Sequence, residues 1–181
     1  MTDALDDARY LELFPQWLRA LGEDAAAIGV IFPSIAAVDD VATRSLAAGV
    51  NYIFKSLDLI PDGVDDLGFM DDAFVIRVAC ALAIGARPEA KRGVVERLAA
   101  DTRAVRDFLG SDYAPLESYV VALRKGGARG RTVEEIATDP EARAKFLNEL
   151  REWSAAYQPP SFTRDPKTLA KLRAFLSAKL L

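Results

Sequence analysis

Six carboxylates crowd into the fifteen residues from Asp58 to Asp72: Asp58, Asp62, Asp65, Asp66, Asp71 and Asp72. Hard divalent cations such as magnesium and calcium take their ligands from several carboxylate oxygens and need no histidine, so the residue types suit a cation site. Asp58 and Asp62 would meet Asp71 and Asp72 if the helices on either side form an antiparallel hairpin around Pro61. These four are the candidate ligands for magnesium or calcium, and a metal-dependent hydrolase or transferase is the enzyme that would use them. The spacing follows neither an EF-hand loop nor the Asp-Asp-x-x-Asp spelling of prenyl-binding helical enzymes. A plainer assignment is favoured. Aspartates just before a helix accept from its free amides and gain from its dipole, each by about 1 kcal/mol. Asp58, Asp62 and Asp71 are then caps, Asp72 is an ion-pair partner for Arg77 or for a basic residue further on, and no cofactor is needed.

Other chemistry is sharply limited. The 181 residues contain no histidine, which removes ordinary zinc sites and every nucleophile that a histidine would activate. The single cysteine, Cys80, sits between Ala79 and Ala81 and reads as a small buried apolar residue, at home in a reducing compartment. Arg77 stands on an otherwise apolar run and needs a carboxylate close by, for which Asp58 and Asp62 are the candidates. In Arg124 to Arg131, spelled RKGGARGR, the side chains of Arg124, Lys125, Arg129 and Arg131 could contact an anion. The run lacks aromatic interleaving and the Walker spelling, so a flexible solvated connector is preferred, and a pI near 5.0 argues against nucleic acid as a partner.

The elements that must position these groups are helical. Apolar residues recur at intervals of three and four throughout, which predicts an all-α chain, a single bundle of about seven helices. An opening helix carries Tyr10, Phe14, Trp17, Leu18 and Leu21 and ends near Gly22. Pro33 opens a second through Val38, Ala42, Leu46, Val50 and Phe54. The run AFVIRVACALAI has no polar face apart from Arg77, so it belongs at the centre, with Val75, Val78, Ala79 and Leu82 among the most buried residues. Pro88 and Pro115 begin two further helices, the first with Val94, Val95, Leu98, Val105 and Leu109 inward. Thr132 and Glu135 spell a capping box. Pro140 opens a helix with Phe146, Leu150, Trp153 and Tyr157, and Asp165-Pro166 a last one with Leu169, Leu172, Leu176 and Leu180.

Within this pattern, Ser56, Asp58, Leu59, Ile60, Pro61, Asp62, Leu67, Gly68, Asp71 and Asp72 fall at the spacing of the YkvA-like family of uncharacterised bacterial domains, which residues 48–87 resemble. The resemblance implies a central helical hairpin and no particular activity. Leu57 departs from the family's usual proline or small turn former. Gly63-Val64-Asp65-Asp66 replaces a turn that tends to be apolar, and its two charges argue against the membrane association of many members.

The chain divides into a main bundle, residues 1–124, and C-terminal helices, residues 132–181, docked on the same domain, with the glycine-basic loop and Gln158-Pro159-Pro160 as hinges. Residues 1–72 carry 14 acidic and 4 basic side chains and residues 73–181 carry 13 and 19, a split of -10 and +6 that favours this docking. No transmembrane segment is expected, since the longest uncharged run, Ala25 to Val38, is 14 residues and holds a glycine and a proline. The N-terminus lacks the pattern of a secretory signal. The resulting expectation is a cytoplasmic, non-enzymatic helical module that binds or scaffolds a protein partner. A peripheral membrane protein attached by its cationic last helix is a further alternative.

Overall fold

In the computed structural model, which describes residues 4–55 and 58–181, the chain is all-α apart from one two-stranded ribbon. The helices are α1 (Ala4–Ile35), α2 (Val41–Asn51), α3 (Met70–Ala86), α4 (Gly93–Ala100), α5 (Thr102–Leu109), α6 (Tyr113–Ala122), α7 (Val133–Thr138), α8 (Pro140–Ala156) and α9 (Pro166–Lys179). Counting α4 and α5, separated by Asp101 alone, as one broken helix, and setting aside the six-residue α7, seven remain. Ser56 and Leu57 lie outside the described residues.

Helix α1 overturns two expected boundaries. It runs through Gly22 and through Pro33, which lies in its last turn, and α2 begins only at Val41, where Asp40 accepts from the Thr43 amide. Gly22 does not end a helix; it lets two helices cross. A Cβ there would stand 3.0 Å from the Tyr157 ring, and around that crossing Ser154 Oγ donates to the Gly22 carbonyl and Tyr157 OH to that of Leu18. Pro88 likewise opens only a 3-10 turn, and α4 starts at Gly93.

Helices α2 and α3 are antiparallel neighbours. Thr43 meets Arg87, Gly49 lies against Ala79 so closely that a Cβ on the glycine would collide with that methyl, and Tyr52 meets Asp71. Helix α3 has apolar neighbours all round. Phe74, Val75, Val78 and Ala79 belong to one core cluster, with Phe14, Phe108, Leu116 and Leu172. Ile76, Cys80 and Ala83 belong to a second, with Ile28, Leu46, Ile136 and Phe146. Leu82, expected among the most buried, is only half-buried near the end of α3.

The C-terminal helices are part of both clusters: Val133, Ile136, Phe146 and Leu150 in the second, Leu169, Leu172 and Leu176 in the first. Ion pairs Arg173–Asp7 and Arg164–Glu12 join the basic part to the acidic one. Two caps stand where the sequence places them, the reciprocal Thr132–Glu135 box and Asp165 before Pro166, and Asp139 caps α8 before Pro140. No helix among the described residues is long and apolar enough to cross a membrane.

Candidate cation site

The loop from Asp58 to Phe69 joins α2 to α3 and is built from consecutive turns, with Val64 N–H donating to the Pro61 carbonyl and Leu67 and Gly68 N–H to that of Val64. A Cβ on Gly68 would collide with the Asp62 carbonyl, so glycine is required for the loop to fold back on itself. Asp66 and Phe69 take left-handed backbone conformations, costly for residues with side chains and sustained only where the surroundings fix them.

This fold-back gathers the aspartates. Asp58, Asp62 and Asp72 each present a carboxylate oxygen within 4.8 Å of the others. Asp72 is completely buried in the first turn of α3, and with both carboxyls ionised neither of its oxygens has a hydrogen-bond partner among the described residues; a proton held between Asp72 and Asp71 would supply one. Asp58 Oδ1 is also buried and unpartnered, while Asp62 lies at the solvent edge.

Asp71 is equally buried but positioned differently. Its Oδ2 accepts from Tyr52 OH at 2.6 Å and from the Ile60 amide at 3.2 Å, and the Tyr52 oxygen in turn accepts from the Leu59 amide. Asp71 therefore pins the start of the loop to the end of α2, leaving its Oδ1 unpartnered.

The expected caps are absent. The residue preceding α3 is Phe69, with no side-chain cap, and Asp58 and Asp62 are held within the loop. Asp72 does not pair with Arg77 or with a basic residue of the C-terminal part: burial drives it inward with other carboxylates, where no guanidinium follows.

Electrostatics record the crowding. Burial raises the pKa of Asp72 well above the carboxylate range, the charges of Asp71, Asp58 and Asp62 raise it further, and so does a hydrogen bond that protonated Asp72 can donate to the Asp71 carboxylate. Burial, then Asp71 and Asp62, push Asp58 up to about 7, with Lys55 opposing weakly. Asp62 is raised by burial and by Asp71. Asp71 is raised by burial, against the lowering effect of its Tyr52 and Ile60 hydrogen bonds.

Such a group of carboxylates must take up protons or a cation, because several dry charges of one sign repel without compensation. Calcium suits the donor set better than magnesium. It accepts six to eight oxygens at about 2.3–2.6 Å, so oxygens on its opposite sides stand about 4.6–5.2 Å apart, and it tolerates bidentate carboxylates. Magnesium keeps several waters, which the buried side of Asp72 leaves little room for. Asp72 could bind through both oxygens and Asp58 and Asp62 through one each; Asp71, expected as a fourth ligand, lies outside the set whose oxygens converge.

The remaining sequence candidates disperse. Arg77 pairs with neither Asp58 nor Asp62; its Nε donates to Asp101 at 3.1 Å, Nη1 donates to the Ala73 carbonyl, Asp24 lies at 4.0 Å, and its guanidinium stacks 3.9 Å from the Trp17 ring centroid. Its position on α3 points it toward α1 and the α4–α5 break, away from the loop. Of the basic run, Arg131 is buried and paired with Glu149, and Arg129 lies over the Phe54 ring. The run thus forms a 3-10 turn and a small ribbon with engaged side chains, in place of a solvated connector. Only Arg124 and Lys125 share a cleft, of about 220 Å³, with Arg44, Thr132 and Glu134. Cys80 is buried and its thiol is pushed up to about 12 by burial, which keeps it unreactive.

Sequence reasoning missed Tyr52, Asp24 and Asp101, and it placed Trp17 in the core without its role over Arg77. Only Asp24 left a signal, as the charge that immediately precedes the long uncharged run. No family model, no curated protein and no solved structure matches this chain.

Proposed function

We propose that this chain is a non-enzymatic helical module that binds a divalent cation, calcium in preference to magnesium, between Asp58, Asp62 and Asp72, with Asp71 anchoring the loop. The observation that supports this most is Asp72, fully buried with two unpartnered oxygens facing two further carboxylates. A bound cation would tie the first turn of α3 to the loop and make a rigid platform for a protein partner. Residues 48–87 we assign to the YkvA-like domains on their spelling, and we place the protein in the bacterial cytoplasm, where its lone buried Cys80 stays reduced. The last helix is assigned to the protein itself, since Leu169, Leu172 and Leu176, which a membrane would take, are in the core.

Melting in chelator, in magnesium and in calcium tests the reading. At 100 times its dissociation constant a cation adds about 2.7 kcal/mol, an increase of roughly 5–10 °C for a domain of this size. Calcium should produce the larger shift, and Asp72→Asn should abolish it. A melting temperature unmoved by millimolar calcium and magnesium would sink the proposal. Cation-dependent turnover of phosphate or acyl esters, lost in Asp62→Asn, would instead support the hydrolase or transferase, for which Asp62 at the solvent edge is the structural support.

A further inference from the structure

The loop that carries the carboxylates has a second face, gripped by the C-terminal part of the chain. Asp66 Oδ1 accepts from both the backbone N–H and the hydroxyl of Thr163, each at 2.9 Å. Lys171 Nζ, on α9, lies 3.5 Å from the Asp65 carbonyl. Phe69, the last loop residue, packs its ring 5.5 Å from that of Tyr157 and 6.2 Å from that of Trp153, at the end of α8. These contacts span about a hundred residues of sequence and converge on Asp65, Asp66 and Phe69. Two of these three have left-handed backbones, so the conformation presented to the C-terminal strap is one the loop would not keep unsupported.

We propose that the loop is a shared element, and that cation occupancy on its inner face and docking of the strap after Tyr157, through Thr163 and Lys171, strengthen each other. This rests on the cation reading and adds its regulation. Asp62 and Asp66 lie four residues apart within one set of turns, and Phe69 directly precedes the helical turn that bears Asp71 and Asp72. With the cation bound, mutual repulsion no longer spreads Asp58 and Asp62 away from Asp72, and the Asp66 carboxylate and Asp65 carbonyl stay where the strap finds them. With the strap released, the loop loses its outer supports and the ligands their preorganisation. Coupling of two binding events through one element is reciprocal: the factor by which the docked strap tightens the cation is the factor by which the cation tightens the strap.

The sign of one substitution separates coupling from simple charge. Lys171→Met removes a positive charge near an acidic site, so Coulomb effects alone would tighten calcium binding, whereas coupling weakens it. Calcium affinity of the full chain, measured by titration calorimetry, should fall at least about five-fold in Thr163→Gly/Lys171→Met, the low end of usual coupling. In the wild type, hydrogen exchange at the Thr163 amide should slow on adding calcium, a readout that needs no variant to fold. Unchanged or tighter calcium binding by the double variant, or Thr163 exchange indifferent to calcium while the wild type binds it, overturns the coupling and leaves the cation site standing. A wild type that binds no calcium overturns both.

Discussion

Helix α3 carries two buried charged sites five residues apart, and they are solved in opposite ways. At Arg77 the chain supplies every partner: two carboxylates, a carbonyl and an indole face come from α1, from α3 itself and from the α4–α5 break. At Asp72 it supplies more of the same charge. The sites do not compensate each other, for the charges that act on Arg77 are those of Asp101 and Asp24. A buried charge with its counter-charges in place reads as architecture. One surrounded by its own sign needs a proton or a ligand, and the function we propose takes it as half of an interaction with a cation.

The largest effect should come from breaking the complete site. Arg77→Met leaves Asp24 and Asp101 without their buried partner and Trp17 without its cation, and removing one member of a buried pair costs roughly 3–5 kcal/mol. Urea unfolding should show that loss with or without calcium. The incomplete site should respond with the opposite sign. Asp72→Asn keeps the shape and replaces a carboxyl that is neutral only while it holds its proton by a group that is neutral at every pH, so in chelator it should leave stability nearly unchanged near neutral pH and raise it by roughly 1–3 kcal/mol in alkaline solution, where the buried carboxyl must ionise. A destabilised Asp72→Asn in chelator would mean that the carboxylate has a partner after all.

A smaller effect follows from titration. The folded-state pKa of Asp58, about 7, stands above its ordinary 3.8, so the folded protein holds that proton more tightly than the unfolded chain. Its contribution is complete below about pH 4 and is lost as the pH rises toward and through about 7. The group is half-buried, so screening reduces the effect below what the bare shift implies. In chelator the wild type should therefore lose stability relative to Asp58→Asn between pH 4.5 and 8. Calcium, which displaces the proton, should raise wild-type stability increasingly over the same range. A pH-independent difference between the two proteins in chelator would remove Asp58 from the crowded set.

The two sites were also unequally legible. Elements defined by neighbours in sequence were clear: Asp165-Pro166 before a leucine stripe gives α9, Thr132 and Glu135 give the box, and an apolar run gives α3. The gathering of acidic residues was visible too, and Asp58, Asp62 and Asp72 of that run do come together in the structure. What was hidden depends on distant chain. Gly22 looks like a helix end until Tyr157, 135 positions later, lies against it, and only that contact explains a glycine inside α1. Arg77 had two nearby aspartates to choose from, yet its partners come from residues 24 and 101, because helical geometry, not separation in sequence, sets where a side chain points. That one oxygen of Asp71 would be held from outside the cluster and none of Asp72 turns on Tyr52 and the Ile60 amide, which reach only one of two adjacent carboxylates.

The smallest effect sharpens the comparison from the side of the complete site. Asp24 is shared between Arg77, buried, and Arg97, whose side chain is 56% exposed and donates to Asp24 Oδ1. Arg97→Met removes the outer, solvated half of that arrangement and leaves the inner one. If burial is what gives a pair its weight, this loss should be about 1 kcal/mol or less, against several for Arg77→Met, although both arginines bind one carboxylate. Combining Arg97→Met with Asp24→Asn should cost little more than Asp24→Asn alone, since the exposed arginine has no other role there. Loss near 3 kcal/mol for Arg97→Met would show that Arg97, and not Arg77, neutralises Asp24. The chain would then have left the inner arginine nearly as dependent on a single partner, Asp101, as Asp72 is on a cation in the function we propose.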